Sequence, residues 1–225
     1  MTFHWNWEFT FAILPRLLWA TLNTLMAAGI GYGIALILGL IFALAQRTPW
    51  RGLTVSVRES VEFIRSTPLV LQIFFVFYVG PQFGVTLSPW IAGMIAIGLH
   101  YASYLSEVYR AGIDSVPRGQ WEAAMSLSLS PYQTYSRIVI PQAIPAAFPG
   151  MGNYLVGIFK DTPMLSVIGV AELMHTANSI GSENYRFLEP FTMVGVIFLL
   201  ISLPTASLLR RAEAKIREKM GLKPL

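Results

Sequence analysis

From Ser66 to Ser106 the chain carries no Asp, Glu, Lys or Arg. A hydrocarbon core about 30 Å thick is crossed by about 20 apolar residues in a helix, so this block is about twice as long as one crossing needs and has to fold back on itself. Gly80-Pro81-Gln82-Phe83-Gly84 marks the turn, since Gly and Pro both break helices. Three other blocks reach the required length: Leu17 to Gln46, Ile138 to Phe159 with a continuation past an internal charge pair to Ala171, and Pro190 to Leu209. The expected fold is an all-α membrane protein, one domain over 1–225, with five spans near 17–45, 63–80, 87–106, 148–171 and 190–210 and a long loop over 107–141.

Composition narrows the function classes. Only 12% of the residues are charged and 54% are hydrophobic, against roughly 25% charged in a typical soluble domain, and the mean hydropathy is +0.56. The absence of cysteine removes disulfide frameworks, thiolate nucleophiles and cysteine zinc sites. The net charge of +4 does not point to nucleic acid, because the basic residues sit at the ends of apolar blocks without interleaved exposed aromatics. Glu8 and the length of the following apolar stretch argue against a cleavable signal, so the first block is expected to stay as a span.

Basic residues also set the expected orientation, because short cytoplasmic loops are enriched in Lys and Arg. Arg47, Arg51, Arg58 and Arg65 fall between the first two spans, Arg110, Arg118 and Arg137 between the third and fourth, and Arg210, Arg211, Lys215, Arg217, Lys219 and Lys223 after the fifth. The other side receives Arg16, the uncharged turn at Pro81, and Arg186 beside Glu183 and Glu189. The N-terminus is therefore expected outside and the C-terminus inside. Trp5, Trp7, Trp19, Trp50 and Trp90 lie near span ends, where indoles anchor in the headgroup zone. Gly29 and Gly33 have the spacing that admits a neighbouring helix backbone, and no strand precedes them as a dinucleotide-binding loop would require.

The segment from Glu107 to Pro141 has helix starts and stops of its own. Pro117-Arg118-Gly119-Gln120-Trp121 leads into a short helix through Glu122-Ala123-Ala124-Met125-Ser126-Leu127. Ser130, Pro131 and Gln133 then form the pattern of a capping box that opens a second helix running toward Pro141. Glu107 is spaced to pair with Arg110. Two readings of this hairpin stand on spacing alone: a docking element for a soluble partner, or an amphipathic hairpin lying on the membrane.

The order Glu122-Ala123-Ala124, a small residue, then Ile138-Val139-Ile140-Pro141 resembles the EAA loop of ABC importer permeases, through which such subunits meet their ATPase. Ser128 stands where the family usually has glycine, a departure that matters if the turn needs positive φ. Arg65-Ser66-Thr67-Pro68, Tyr109-Arg110-Ala111-Gly112-Ile113, Pro141-Gln142-Ala143, Gly152-Asn153-Tyr154 and Lys160-Asp161-Thr162-Pro163 are similar to the polar amino-acid branch. Thr86-Leu87-Ser88-Pro89 and Leu188-Glu189-Pro190 look most like the permeases of ectoine and hydroxyectoine importers.

The resemblance implies Glu122, Ala123, Ala124, Ser128, Ile138 and Pro141 as ATPase-coupling residues. It implies a bacterial inner-membrane location and three partners: a cytoplasmic ATPase dimer, a second permease subunit and an external solute-binding protein. ATP and Mg would be bound by the ATPase and no cofactor by this chain, which contains no Gly-x-x-x-x-Gly-Lys-Ser/Thr phosphate loop.

Lys160 and Asp161 fall within the fourth span, where an ionisable group costs several kcal/mol unless it is paired or faces water. Pro163 removes the donor for the carbonyl of Phe159 and breaks the helix beside them. Lys160, Asp161 and Thr162, with Arg65, are expected to line or brace the path of a zwitterionic solute; the alternative is a structural ion pair or helix junction. His4, His100 and His175 lack metal-ligand spacing. Two rivals remain, an ion-driven carrier and an intramembrane enzyme using Lys160 and Asp161 with His100 or His175.

Overall fold

The computed structural model describes residues 4–219; Lys223, counted above with the basic C-terminal segment, lies outside them. Every regular element among the described residues is helical. Helix α1 (Trp7–Ala45) begins well before the expected 17, because Asn6 caps it by accepting from Phe9 N at 3.0 Å. Arg16 therefore lies inside the helix, where Glu183 of α8 (Leu173–Asn184) takes both guanidinium nitrogens at 2.8 and 2.9 Å.

Helix α2 (Arg51–Arg65) and the rod that follows it, α3 (Leu69–Phe74) with a π turn and a 3-10 turn to Phe83, meet at a 108° bend. The helix expected over 63–80 is thus broken at Ser66–Thr67–Pro68, since Pro68 has no N–H for the carbonyl of Ile64. Gln72 repairs the break: its Nε2 donates to Ile64 O at 2.7 Å and to Thr67 Oγ1 at 2.8 Å. The expected turn closes at Gly84 with φ 77°.

Helix α4 (Pro89–Asp114) is central, packed on α1 along one side and on α7 (Ile140–Asp161) along another. The short helices α5 (Arg118–Ser126) and α6 (Pro131–Thr134) connect α4 to α7. Helix α9 (Leu188–Lys219) packs on α7 and α8. Leu17, Ile73, Ile97, Leu105, Ile158 and Leu165 fill the interior, while Trp19, Ile37, Phe75 and Leu200 project outward. So much exposed apolar surface suits lipid rather than water.

By length and apolarity, α1 and α9 each suffice to cross a membrane, and the bent pairs Arg51–Arg65 with Leu69–Phe83 and Pro131–Ile168 with Leu173–Asn184 bring the total to as many as four. Helix α4, the expected third span, is not among them. Its second half carries His100, Tyr101, Ser103 and Ser106, all buried against neighbouring helices. These neighbours shield it, so it does not need the continuous apolarity of a lipid-facing span.

The small residues of α1 also pack differently from expectation. A Cβ at Gly29 or Gly33 would meet open space. Gly31 and Gly39 make the close approach instead: a Cβ at Gly31 would lie 2.8 Å from Ile97 Cγ2, and at Gly39 3.0 Å from Ala102 O. Spacing identifies a stripe that permits contact, but the position of α4 selects the neighbouring stripe.

Candidate functional site

Two groups of side chains stand out, one at each end of α7. At its N-terminal end, α5 stops in a left-handed turn. Leu129 N donates to Ala124 O at 3.1 Å and Ser128 N to Met125 O at 2.9 Å, the paired closure that places a positive φ at the residue between. That residue is Ser128, at φ 51°. The turn thus keeps the glycine conformation with a serine in it, at a cost of about 1 kcal/mol. Two residues on, Ser130 Oγ accepts from Gln133 N at 3.3 Å and Gln133 Oε1 from Ser130 N at 3.0 Å, the expected capping box.

The second hairpin helix does not end at Pro141. A π turn over Tyr135–Val139 carries it into α7 with Pro141 in the first turn, the widened turn relieving the clash a proline ring would make with the preceding carbonyl. The hairpin is therefore continuous with α7.

The hairpin has a small core of its own. Ala124 is 1% exposed, Trp121 and Tyr135 stack edge to face at 5.6 Å, and Ile113, Val116, Val139 and Ala143 pack at its base. Below it α4 and α7 are in near contact: a Cβ on Gly112 would lie 2.7 Å from Ala143 O, and one on Gly150 2.9 Å from Val108 Cγ1. Arg110 bonds Glu107 at 2.9 Å, as its spacing predicts.

The other motif residues divide by exposure. Glu122, Ala123, Ser128 and Pro141 face outward and Ile138 is half-buried. Beside them Met125, Leu127 and Tyr132 are 70, 70 and 81% exposed. The motif resemblance does not point to these three; apolar residues in so polar a loop are the signal that could have found them.

At the far end, α7 stops at Asp161 and a 3-10 segment, Thr162–Ile168, follows to Gly169 at φ 80°. Thr162 is buried and its Oγ1 donates at 2.8 Å to Phe159 O, the carbonyl left without a donor by Pro163. Thr162 thus braces the break. Asp161 Oδ2 accepts from the Tyr101 hydroxyl at 2.7 Å, and Gly157 makes room for that hydroxyl, which a Cβ there would meet at 3.1 Å.

Tyr101 belongs to an aromatic group with Tyr104, Tyr154 and His100, with ring centres 5.2 to 6.2 Å apart. The Arg65 guanidinium lies over the Tyr104 ring at 5.3 Å. Because Gln72 Nε2 donates elsewhere, its Oε1 accepts, and His100 Nδ1, at 3.1 Å, carries the proton. One cluster therefore holds a cation and a carboxylate separated by aromatic faces. Lys160 points away from it, toward α9, and lines two cavities of about 350 and 460 Å3 with Asn153, Arg210 and Ser202 among their other walls. Of the four expected path residues, Arg65 and Asp161 come together; Lys160 and Thr162 do not join them.

A family described as the binding-protein-dependent transport system inner membrane component matches residues 31–218. A probable amino-acid ABC transporter permease of Sinorhizobium fredii is 42% identical over 218 residues, 95% of this chain and 94% of that one. The L-cystine transport permease of Bacillus subtilis is 36% identical, covering 84 and 87%, and the nopaline transport permease of Agrobacterium fabrum 35%, covering 88 and 87%. Among solved structures, an amino acid ABC transporter crystallised with histidines superposes at TM-score 0.88 with 29% identity, covering 95% of this chain and all of that one. The inward-facing methionine transporter, at TM-score 0.70 and 18% identity over 91% of this chain and 96% of that one, shares the fold.

Proposed function

Because the chain belongs to the family of inner-membrane components of binding-protein-dependent transport, as a permease subunit of an amino-acid ABC importer, we propose that the hairpin from Arg118 to Val139 is the surface on which a cytoplasmic ATPase docks. The exposure of Met125, Leu127 and Tyr132 on an element with a rigid base carries this reading. A hairpin lying on the lipid would be held by its apolar face alone. This one is held by its own core and by α4 and α7, leaving its apolar knobs to a partner. Glu122 and Ala123 supply the charge and the close approach, and the continuity of the hairpin with α7 passes the partner's movement to the break at Asp161.

The path reading keeps Arg65 and Asp161 and adds Tyr101, Tyr104 and Tyr154. A zwitterionic amino acid offers a carboxylate to Arg65 and an ammonium to Asp161 and the tyrosine faces, where cations are attracted by the ring quadrupole. Lys160 belongs to the α7–α9 groove, which a second permease subunit would close. Five crossings, with α4 as the shielded third and the arginine-rich ends inside, complete the arrangement.

A polar amino acid is the solute class best supported. The stretches that resembled the ectoine permeases have local structural roles: Ser88 caps α4 by accepting from Ile91 N, and Glu189 pairs with Arg186. The direct test is Ala123→Trp, placed on the exposed face. Retention of the chain in the membrane with loss of ATPase co-purification and uptake is expected; normal co-purification and uptake would refute the docking surface.

A further inference from the structure

Where α1, α2 and α4 meet, on the arginine-rich side, a cavity of about 400 Å3 is lined by Gln46, Arg47, Thr54, Arg58, Arg110 and Asp114. Two of its three guanidinium groups are engaged: Arg47 with Asp114 at 2.7 Å, and Arg110 with Glu107 at 2.9 Å. Arg58, exposed on α2, forms no ion pair among the described residues. Gln46 Oε1 accepts from Arg110 at 3.0 Å, which fixes the other end of the amide as nitrogen. That nitrogen is covered and has no acceptor. Three positive groups against two carboxylates, with an orphan amide beside them, leave the site one charge positive and with donors in excess.

The cavity does not stand alone. Val57, next to Arg58 on α2, lines a second space of about 320 Å3 with Phe42, Val61, Ile64 and Leu99. Ile64 and Leu99 are shared with a third, of about 310 Å3, that continues toward Leu71 and Val76. Beneath α2, then, a basic cavity opens beside an apolar groove. The 108° bend to the following rod sets α2 at a steep angle to it, as a helix lying along a membrane surface beside a spanning rod would be.

We propose that this is a binding site for an anionic phospholipid, with its phosphate held by Arg58 beside Arg110 and an acyl chain lying in the groove under α2. Basic pockets between membrane helices on the cytoplasmic side suit such headgroups, and the groove distinguishes a lipid from a free anion. Because α2 ends at Arg65, over Tyr104, an occupied site also fixes the arginine at the edge of the aromatic cluster.

The test uses the chain purified in detergent with the subunits it assembles with, titrated with dioleoyl phosphatidylglycerol, dioleoyl phosphatidylcholine and inorganic phosphate, and read by native mass spectrometry and thermal shift. Phosphatidylglycerol should bind in preference to phosphatidylcholine. Arg58→Gln, at an exposed position, should weaken that binding about tenfold, the loss expected for one charge-assisted hydrogen bond. Leu99→Trp, which fills the groove, should weaken the lipid and leave phosphate unaffected. Equal retention of phosphatidylglycerol by Arg58→Gln and the parent chain would overturn the proposal. So would phosphate binding as tightly as the lipid, which marks a free-anion site. Loss of the ATPase from Arg58→Gln with lipid binding unchanged would assign the surface to a protein partner and overturn it equally.

Discussion

The two ends of α7 are built on opposite plans. At the Pro141 end the packing is closed inward: Ala124 and the Trp121–Tyr135 pair form a core, Gly112 and Gly150 bring α4 and α7 into near contact, and the apolar surplus is turned outward. At the Asp161 end the helix gives way to a 3-10 turn, and polar groups meet in the interior through single hydrogen bonds. Between them Pro141, Pro145 and Pro149 recur every four residues, and each removes a backbone donor. The hairpin end has a small core of its own, whereas the Asp161 end breaks inside the main core, where Ile158, Leu165 and Ile168 are buried.

Variants can break this contrast. The largest effect is expected from Ala124→Asp, which places a carboxylate in the hairpin core; an unpaired buried charge costs several kcal/mol. Uptake should vanish and limited proteolysis should cut the hairpin while α1 and α9 stay protected. Next, Tyr101→Phe removes the donor of the 2.7 Å bond and Asp161→Asn keeps an acceptor there but removes its charge. A bond to a charged group is worth about 1.5–3 kcal/mol, so each should lower uptake about 10- to 100-fold with the ATPase still bound. Lys160→Ala should leave this cluster intact, and a loss as large as that of Asp161→Asn would show that the path runs along α9.

A smaller effect is expected from Tyr132→Ala, which trims an exposed knob. ATPase affinity should fall about tenfold, with no change in thermal unfolding. The smallest is Ser128→Gly, which relieves the positive φ and should stabilise the hairpin by about 1 kcal/mol, seen as slower amide exchange across Ala124–Leu129 with uptake unchanged.

Much of this was legible because it depends on neighbours in sequence. The capping box at Ser130, the Glu107–Arg110 pair and the break at Pro163 each follow from residues a turn apart. The turn at Ser128 was legible as a question, whether its φ is positive, which only the backbone answers. What escaped depends on distant contacts. Asp161 takes Tyr101 from another helix, and Gly31 rather than Gly29 meets Ile97, because neither partner choice leaves a local mark. The 108° bend was hidden for a different reason: Ser66-Thr67-Pro68 reads equally well as the start of a span or as a corner, and Gln72 decides for the corner by answering the freed carbonyls.

In the proposed arrangement the hairpin faces the cytoplasm and is covered there by an ATPase. Since the chain has no cysteine, Leu127→Cys gives a single reporter on the exposed turn. With a membrane-impermeant maleimide, it should label in inverted vesicles stripped of the ATPase, be protected when the ATPase is restored, and remain unlabelled in intact cells. Labelling from outside, or labelling in inverted vesicles that the ATPase does not diminish, would rule out a cytoplasmic docking hairpin.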